Sequence, residues 1–355
     1  MELLIPEPAA ADRFERLQAG FRLAIQRQAL GVPELHYRFG GFPARLAVVG
    51  RAFAEHIVRP FLHLRSTDAD AGSPRLDIGL WDENETGVRR PGEPEPETVG
   101  DPRVTEISST GRFVLQRTPC ASIGLDRASA RIVGAVAWSD RVPLYERGKP
   151  LARLLVEWYA DQGRPVMHGA LVSRGDRGVI LAGKGGSGKS TSALICARAG
   201  LGFLGEDYVG LELPDDRSVV GHSVYSSVFL TPATAAAFPD LAPHLAASPD
   251  PGEVKSLLCL ADVCPSRLLR SVPVRAVALC RLVETPVSRV RPASRIEALR
   301  AVAPSSLLQI HGRRKDSLDR LTQLVERVPC FWLEQGRHLA SVVEGVEEIL
   351  ARATT

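Results

Sequence analysis

One short run constrains this chain more than any other: Gly183-Lys184-Gly185-Gly186-Ser187-Gly188-Lys189-Ser190, followed by Thr191. It fits G-x-x-x-x-G-K-[ST] without a mismatch, with the apolar run Val179-Ile180-Leu181 before it and helical spacing after it. A chain carrying this run is expected to lay down a strand, a tight loop and a helix in succession, which argues for an α/β domain. The glycines let backbone N–H groups turn inward at a helix N-terminus and form a concave anion site. Lys189 then reaches the β- and γ-phosphates of a nucleoside triphosphate, and the Ser190 hydroxyl helps hold Mg²⁺. Gly183, Lys184, Gly185, Gly186, Ser187, Gly188, Lys189, Ser190 and Thr191 are thus the expected nucleotide-binding residues. GTPases, transporter ATPases, motors and small kinases all carry such a loop, so it defines a binding site and not a reaction.

The rest of the chain falls into two regions. With 355 residues, more than one domain is expected. Residues 82–102 are rich in Pro, Glu and Gly and poor in apolar side chains; they read as a long loop, because they bury too little to offset ordering entropy. A strand is expected at 75–81, with Leu76, Ile78 and Leu80 on one face, and another at 132–138. Residues 1–147 therefore read as a separate α+β region whose role the sequence does not declare.

From 148 the pattern changes. The spacing predicts a helix over 151–159 that Gly163 ends, and a hairpin made of 166–172 and 179–181 around Gly175 and Gly178. A helix over 188–199 is closed by Gly200. Strand-like runs follow at 203–204, 208–213, 274–283 and 330–333, with helices around 295–301, 316–325 and 339–351. Residues 148–355 thus read as one α/β domain whose sheet holds the glycine-rich loop.

Composition excludes several classes. Hydrophobic residues make up 45% and charged residues 24%, as in an ordinary globular protein. A formal net charge of +3 spread along the chain argues against a nucleic-acid partner and against an anionic membrane. The cluster Arg313-Arg314-Lys315 reads as solvated surface. No uncharged apolar stretch is long enough to span a bilayer, and the first residues do not have the form of a signal peptide. Cysteines at 120, 196, 259, 264, 280 and 330 form no CxxC and complete no metal set, so they read as reduced, mostly buried thiols. A cytoplasmic location is expected.

What narrows the loop to a reaction lies on either side of it. Upstream stands Met167-His168-Gly169-Ala170-Leu171-Val172, and downstream, one helix later, Gly202-Phe203-Leu204-Gly205-Glu206-Asp207-Tyr208-Val209. In isolation the acid pair reads as turn chemistry and the histidine as a core or edge residue. In this order around a full glycine loop, residues 165–210 resemble the catalytic core of the HPr kinase/phosphorylase family. A weaker likeness reaches the C-terminus, where Val328-Pro329-Cys330-Phe331 precedes the last helix. The resemblance implies a P-loop kinase core of the HPr kinase type, a sheet with flanking helices. The region before it is not matched to that family's own N-terminal domain.

The resemblance also implies an activity: ATP- and Mg²⁺-dependent transfer of the γ-phosphate to a hydroxyl, most naturally a serine of a protein or peptide. Asp207 then matches the general base and Glu206 the first acid, acting on Mg²⁺ directly or through water alongside Ser190. His168 matches the histidine near the transferred phosphate, and Lys189 neutralises the phosphates. A homo-oligomer is implied as well, on surfaces the sequence does not identify. Two departures stand out. Glu206 replaces the usual Asp, and Gly221-His222-Ser223-Val224-Tyr225-Ser226-Ser227 stands where a Glu-Ile-Arg-Gly-type signature would follow the acids. The extra methylene of Glu206 makes its metal role indirect or shifts the ion, and the missing signature argues against HPr itself as acceptor and against the reverse, phosphate-removing reaction. A kinase for a free amino acid or metabolite would use the same residues, as would a non-catalytic binding protein whose acids only hold Mg²⁺. Lys255 and Arg281 are further candidate cations, with surface solvation as the default for each.

Overall fold

Strands whose alternate residues are apolar on both faces need cover on both sides, and the loop-bearing part of this chain supplies it with helices. The computed structural model describes residues 5–28, 31–67, 75–91, 106–247, 254–309 and 314–353. They form two units, Met1–Trp158 and Tyr159–Thr355.

The first unit is built on a mixed sheet of seven strands: β1 (Glu34–Phe39), β2 (Phe42–Val49), β3 (Leu76–Asp82), β4 (Glu106–Ser109), β5 (Phe113–Thr118), β6 (Ala121–Asp126) and β7 (Arg131–Val136), in the order β1-β2-β3-β7-β6-β5-β4. Parallel pairing joins β2 to β3 and β3 to β7; the flanks are antiparallel hairpins. Helix α1 (Glu7–Arg27) buries Phe14, Leu17, Phe21 and Ala24, one face at helical spacing, with Trp81, Val133 and Ala135 of the sheet. Three more helices, α2 (Arg51–Val58), α3 (Glu83–Thr86) and α4 (Leu144–Gly148), precede α5 (Ala152–Asp161).

The expected loop over 82–102 is wrong at its start. Asp82 ends β3 and caps α3, accepting from the N–H groups of Asn84 and Glu85 at 2.7 and 3.1 Å. Val88 and Arg90 are buried, and Arg90 pairs with Glu83 at 3.1 Å. A cap and a buried ion pair order a segment whose apolar content alone does not. Residues 92–102 lie outside the described residues.

The second unit has a nine-stranded sheet built from β8 (Val166–Met167), β9 (Ala170–Arg174), β10 (Arg177–Ala182), β11 (Gly202–Gly205), β12 (Val209–Glu212), β13 (Val220–Ser223), β17 (Ser271–Leu282), β18 (Arg289–Ala293) and β19 (Cys330–Gln335). A separate three-stranded sheet holds β14 (Ser227–Leu230), β15 (Leu245–Ala246) and β16 (Ser256–Cys259). The long strand β17 pairs with antiparallel β13 along its first part and with parallel β19 along its last, while β10 runs parallel on its other side. The C-terminal ends of β10, β17 and β19 therefore share one edge of the sheet, the edge at which open α/β sheets bind ligands.

Pleating splits these strands between two cores. Val179, Leu181, Ala276, Ala278 and Cys280 pack with α6 (Lys189–Arg198) and α10 (Leu339–Arg352). Ile180, Ala182, Val277 and Leu279 pack with α8 (Arg295–Gln309) and α9 (Arg314–Arg327). The short helix α7 (Pro232–Ala237) is capped by the Thr231 side chain. This is a mixed α/β architecture with multiple sheets and flanking helices.

One expected strand is two. The run 166–172 breaks at His168 and Gly169: Met167 pairs with Val209 of β12, whereas Ala170 pairs with Leu181 of β10. Continuous hydrophobicity marks burial but not the neighbour, so the break is invisible in the pattern. The hairpin itself forms, with Arg174 opposite Arg177. Helix α8 runs past 301 and through Pro304, and Arg313 lies outside the described residues. Among the described residues no helix is long and apolar enough to cross a membrane.

Helix α8 starts on a reciprocal cap. The Glu297 carboxylate accepts from the Ser294 N–H at 2.8 Å and from Trp332 Nε1 at 2.9 Å, and Ser294 Oγ accepts from the Glu297 N–H at 3.2 Å. These bonds, the Ser294 backbone first, hold the Glu297 carboxyl down from 4.5 to about 2. A folded-state value below the unfolded one means that the contribution is complete above pH 4.5 and is lost as pH falls toward about 2. Glu297→Gln is expected to flatten the loss of stability over that interval. Urea unfolding of both proteins at about pH 5 and about pH 3 checks it.

Candidate active site

Strand β10 ends at Ala182 and α6 begins at Lys189, so the chain reverses within six residues. Gly183, Gly186 and Gly188 take positive φ angles of 145°, 75° and 92°. At Gly188 the need for glycine is double, since a Cβ would also collide with the Gln335 side-chain amide. Gly185 and Gly186 face open space. Lys189 is buried, and its Nζ folds back to donate to the carbonyls of Gly183 at 2.9 Å and Lys184 at 3.1 Å. Burial pushes its ammonium below the usual lysine range, while the negative fields of Asp207 and Glu206 oppose that shift.

The two acids leave one turn in different directions. After β11, the Tyr208 N–H donates to the Glu206 carbonyl at 2.8 Å, and Asp207 sits in the left-handed region with φ +66°. Aspartate is among the few residues with a side chain that tolerate this conformation. A Cβ on Gly205 would lie 2.8 Å from the Tyr208 carbonyl, so the turn closes only over glycine. Glu206 is buried and accepts a hydrogen bond from Ser190 Oγ. Asp207 points the other way, its Oδ1 3.7 Å from His168 Nε2. That is beyond hydrogen-bond distance.

His168 is held through its backbone. Its N–H donates to Ser306 Oγ of α8 at 3.0 Å, and the next N–H, of Gly169, donates to the Asp207 carbonyl at 3.3 Å. The break between β8 and β9 thus places His168 beside the acid turn. The structure brings together Lys189, Ser190, Glu206, Asp207 and His168. Thr191 faces elsewhere, its hydroxyl 2.9 Å from that of Thr234.

A cleft of about 380 Å³ opens on that side, lined by residues 186–192 together with Phe229, Thr234, Lys255 and Gln335 among others. Lys255 is exposed at this cleft, and its charge also depresses the Lys189 ammonium. Arg281 is not part of it: its guanidinium stacks over Trp332 at 5.0 Å and pairs with Glu334. Cys120, Cys196, Cys259, Cys264, Cys280 and Cys330 are all free thiols, and burial pushes Cys280 up to about 12. Sequence reasoning missed Ser306, Thr234 and Gln335. Ser306 stands 138 residues from His168, and nothing local marks it.

No family model matches the chain. The HPr kinase/phosphorylase of Latilactobacillus sakei subsp. sakei (strain 23K) is 31% identical over 117 residues, which is 32% of this chain and 37% of that protein. The chain therefore spans little over a third of the length of the curated relative it matches. Among solved structures, the HPr(Ser) kinase/phosphatase from Coxiella burnetii aligns with a TM-score of 0.29 and 11% identity, over 53% of this chain and 95% of that one. What these comparisons give is a distant sequence homology to HPr kinase/phosphorylase.

Removing the Ser306 hydroxyl leaves the His168 N–H without this acceptor. Ser306→Ala is expected to cost about 1 kcal/mol, the net contribution of a typical hydrogen bond. It should also speed hydrogen exchange at the His168 amide, which amide-resolved exchange by NMR reads directly.

Proposed function

We propose that the chain is an ATP- and Mg²⁺-dependent kinase that transfers the γ-phosphate to a hydroxyl, most naturally a serine of a protein or peptide. The observation that carries this reading is the division of labour at one turn, with Glu206 on the Ser190 hydroxyl and Asp207 beside His168. The distant homology to HPr kinase/phosphorylase supports it.

The residues fit a bound triphosphate. Ser187 Oγ, Ser192 Oγ and Gln335 Nε2 are buried around the loop without hydrogen-bond partners, and the Gly185 and Gly186 flank is open. The N–H groups at the start of α6 and the Lys189 ammonium would take the phosphate charge, with Nζ exchanging the Gly183 and Lys184 carbonyls for phosphate oxygens. Ser190 Oγ and the Glu206 carboxylate are hard oxygen donors suited to Mg²⁺, which when bound neutralises charge on the phosphates.

In the transfer step the acceptor oxygen forms a bond to the γ-phosphorus as the bond to the β,γ-bridging oxygen breaks. ADP leaves with that electron pair, and the acceptor proton passes to the Asp207 carboxylate. Both Asp207 and His168 keep part of their side chains exposed, 22% and 15%, so a hydroxyl can reach them. His168 orients the acid and, when protonated, adds positive charge beside the transferred phosphate.

Asp207→Asn is the clean test, because asparagine also tolerates the left-handed backbone. With a mixture of serine-containing peptides as acceptor, turnover should fall by about 10²–10⁴-fold while ATP affinity stays within about threefold. Unchanged turnover removes Asp207 as the base. Lys189→Ala should abolish both nucleotide binding and transfer, and retention of both overturns the reading.

A further inference from the structure

The cleft beside α6 has a chemistry of its own. At one end lie the N–H groups of residues 186–191 and the exposed Lys255 ammonium, a setting for anions. Away from the loop the wall is apolar: Ile195 of α6, Phe229 of β14, Ala237 of α7, and Leu339 with Val342 of α10. The lining also holds a chain of hydroxyls, Thr191 to Thr234 at 2.9 Å and Thr234 to Thr231 at 3.0 Å. Gln335 Nε2 and Ser192 Oγ belong to residues only 4% and 1% exposed, line the same cleft and have no hydrogen-bond partner; the weakly bonding Cys280 thiol lies beside Gln335. Neither His168, Glu206 nor Asp207 contributes to the lining.

We propose that this cleft is the nucleoside subsite, taking the base and ribose of the triphosphate whose phosphates lie on the 183–191 loop. The inference rests on the kinase reading above and adds the side of the loop on which each substrate sits. Three features point this way. An anion on residues 186–191 continues without a break into the cleft. The cleft combines cationic, hydroxyl and apolar lining, as a nucleotide combines phosphate, ribose and base. Its volume of about 380 Å³ falls in the range of small-molecule sites. A phosphate acceptor seated here would have no base within reach, because Asp207 lies off the lining. The acceptor is thus confined to the His168–Asp207 side of the loop.

Binding calorimetry with two Mg²⁺-loaded probes, ATP and inorganic tripolyphosphate, tests this. Ala237 is exposed, so Ala237→Trp fills the cleft without disturbing the core. Thr234→Val removes the central hydroxyl of the threonine chain at nearly constant volume. In both variants ATP affinity should fall by about tenfold or more, while tripolyphosphate affinity changes by less than about twofold. Variants that leave ATP binding unchanged, or that weaken both probes equally, overturn the nucleoside placement alone. A wild-type protein that binds neither probe overturns the kinase reading and this one with it.

Discussion

The parallel pairing of β10 with β17, and of β17 with β19, is the constraint on which the site depends. It brings the C-terminal ends of three strands to one edge, and the backbone of this edge supplies both the loop and its neighbours. Gln335 reaches Gly188 because it ends β19, and a residue with a Cβ at 188 would have to displace it. The loop's shape is therefore set by a strand that enters the sheet some 150 residues later in the chain. Lys189, folded onto the loop's own carbonyls, keeps the cradle ordered around its one buried cation.

A second constraint is the left-handed residue at 207. Two carboxylates in succession would repel and compete for the same partners; the reversal at Asp207 sends Glu206 inward to Ser190 and leaves Asp207 at the partly exposed His168. The turn and the β8–β9 break are matched by the bond between the Gly169 N–H and the Asp207 carbonyl.

The sequence makes legible what is local. Strand, glycine loop and helix over 177–198 lie within about twenty residues, so every determinant of their geometry sits in one window. The same holds for the hairpin before the loop and for the last helix. Elements whose signals are weak were not legible: β13 to β16 are too short to show a period. The break at His168 escaped because apolar character continues across it while the hydrogen-bonded neighbour changes. The segment after Asp82 was misread because a cap and the Glu83–Arg90 pair do not register as hydrophobicity. Ser306, Thr234 and Gln335 escaped because they meet the site only through tertiary packing, and Glu206 was recognised without any sign of its hydrogen bond to Ser190.

The pleat of β10 and β17 has a consequence for how such a protein changes over generations. Side chains at 179, 181, 276 and 278 answer to α6 and α10, whereas those at 180, 182, 277 and 279 answer to α8 and α9. Helix α8 carries the hydroxyl that fixes His168; α6 and α10 flank the cleft. Drift on one face of the sheet therefore reshapes the histidine side of the loop, and drift on the other reshapes the cleft, with the strands between them acting as a partition. Substitutions can accumulate on one face of the sheet at one time and on the other face at another, without either set repacking its opposite.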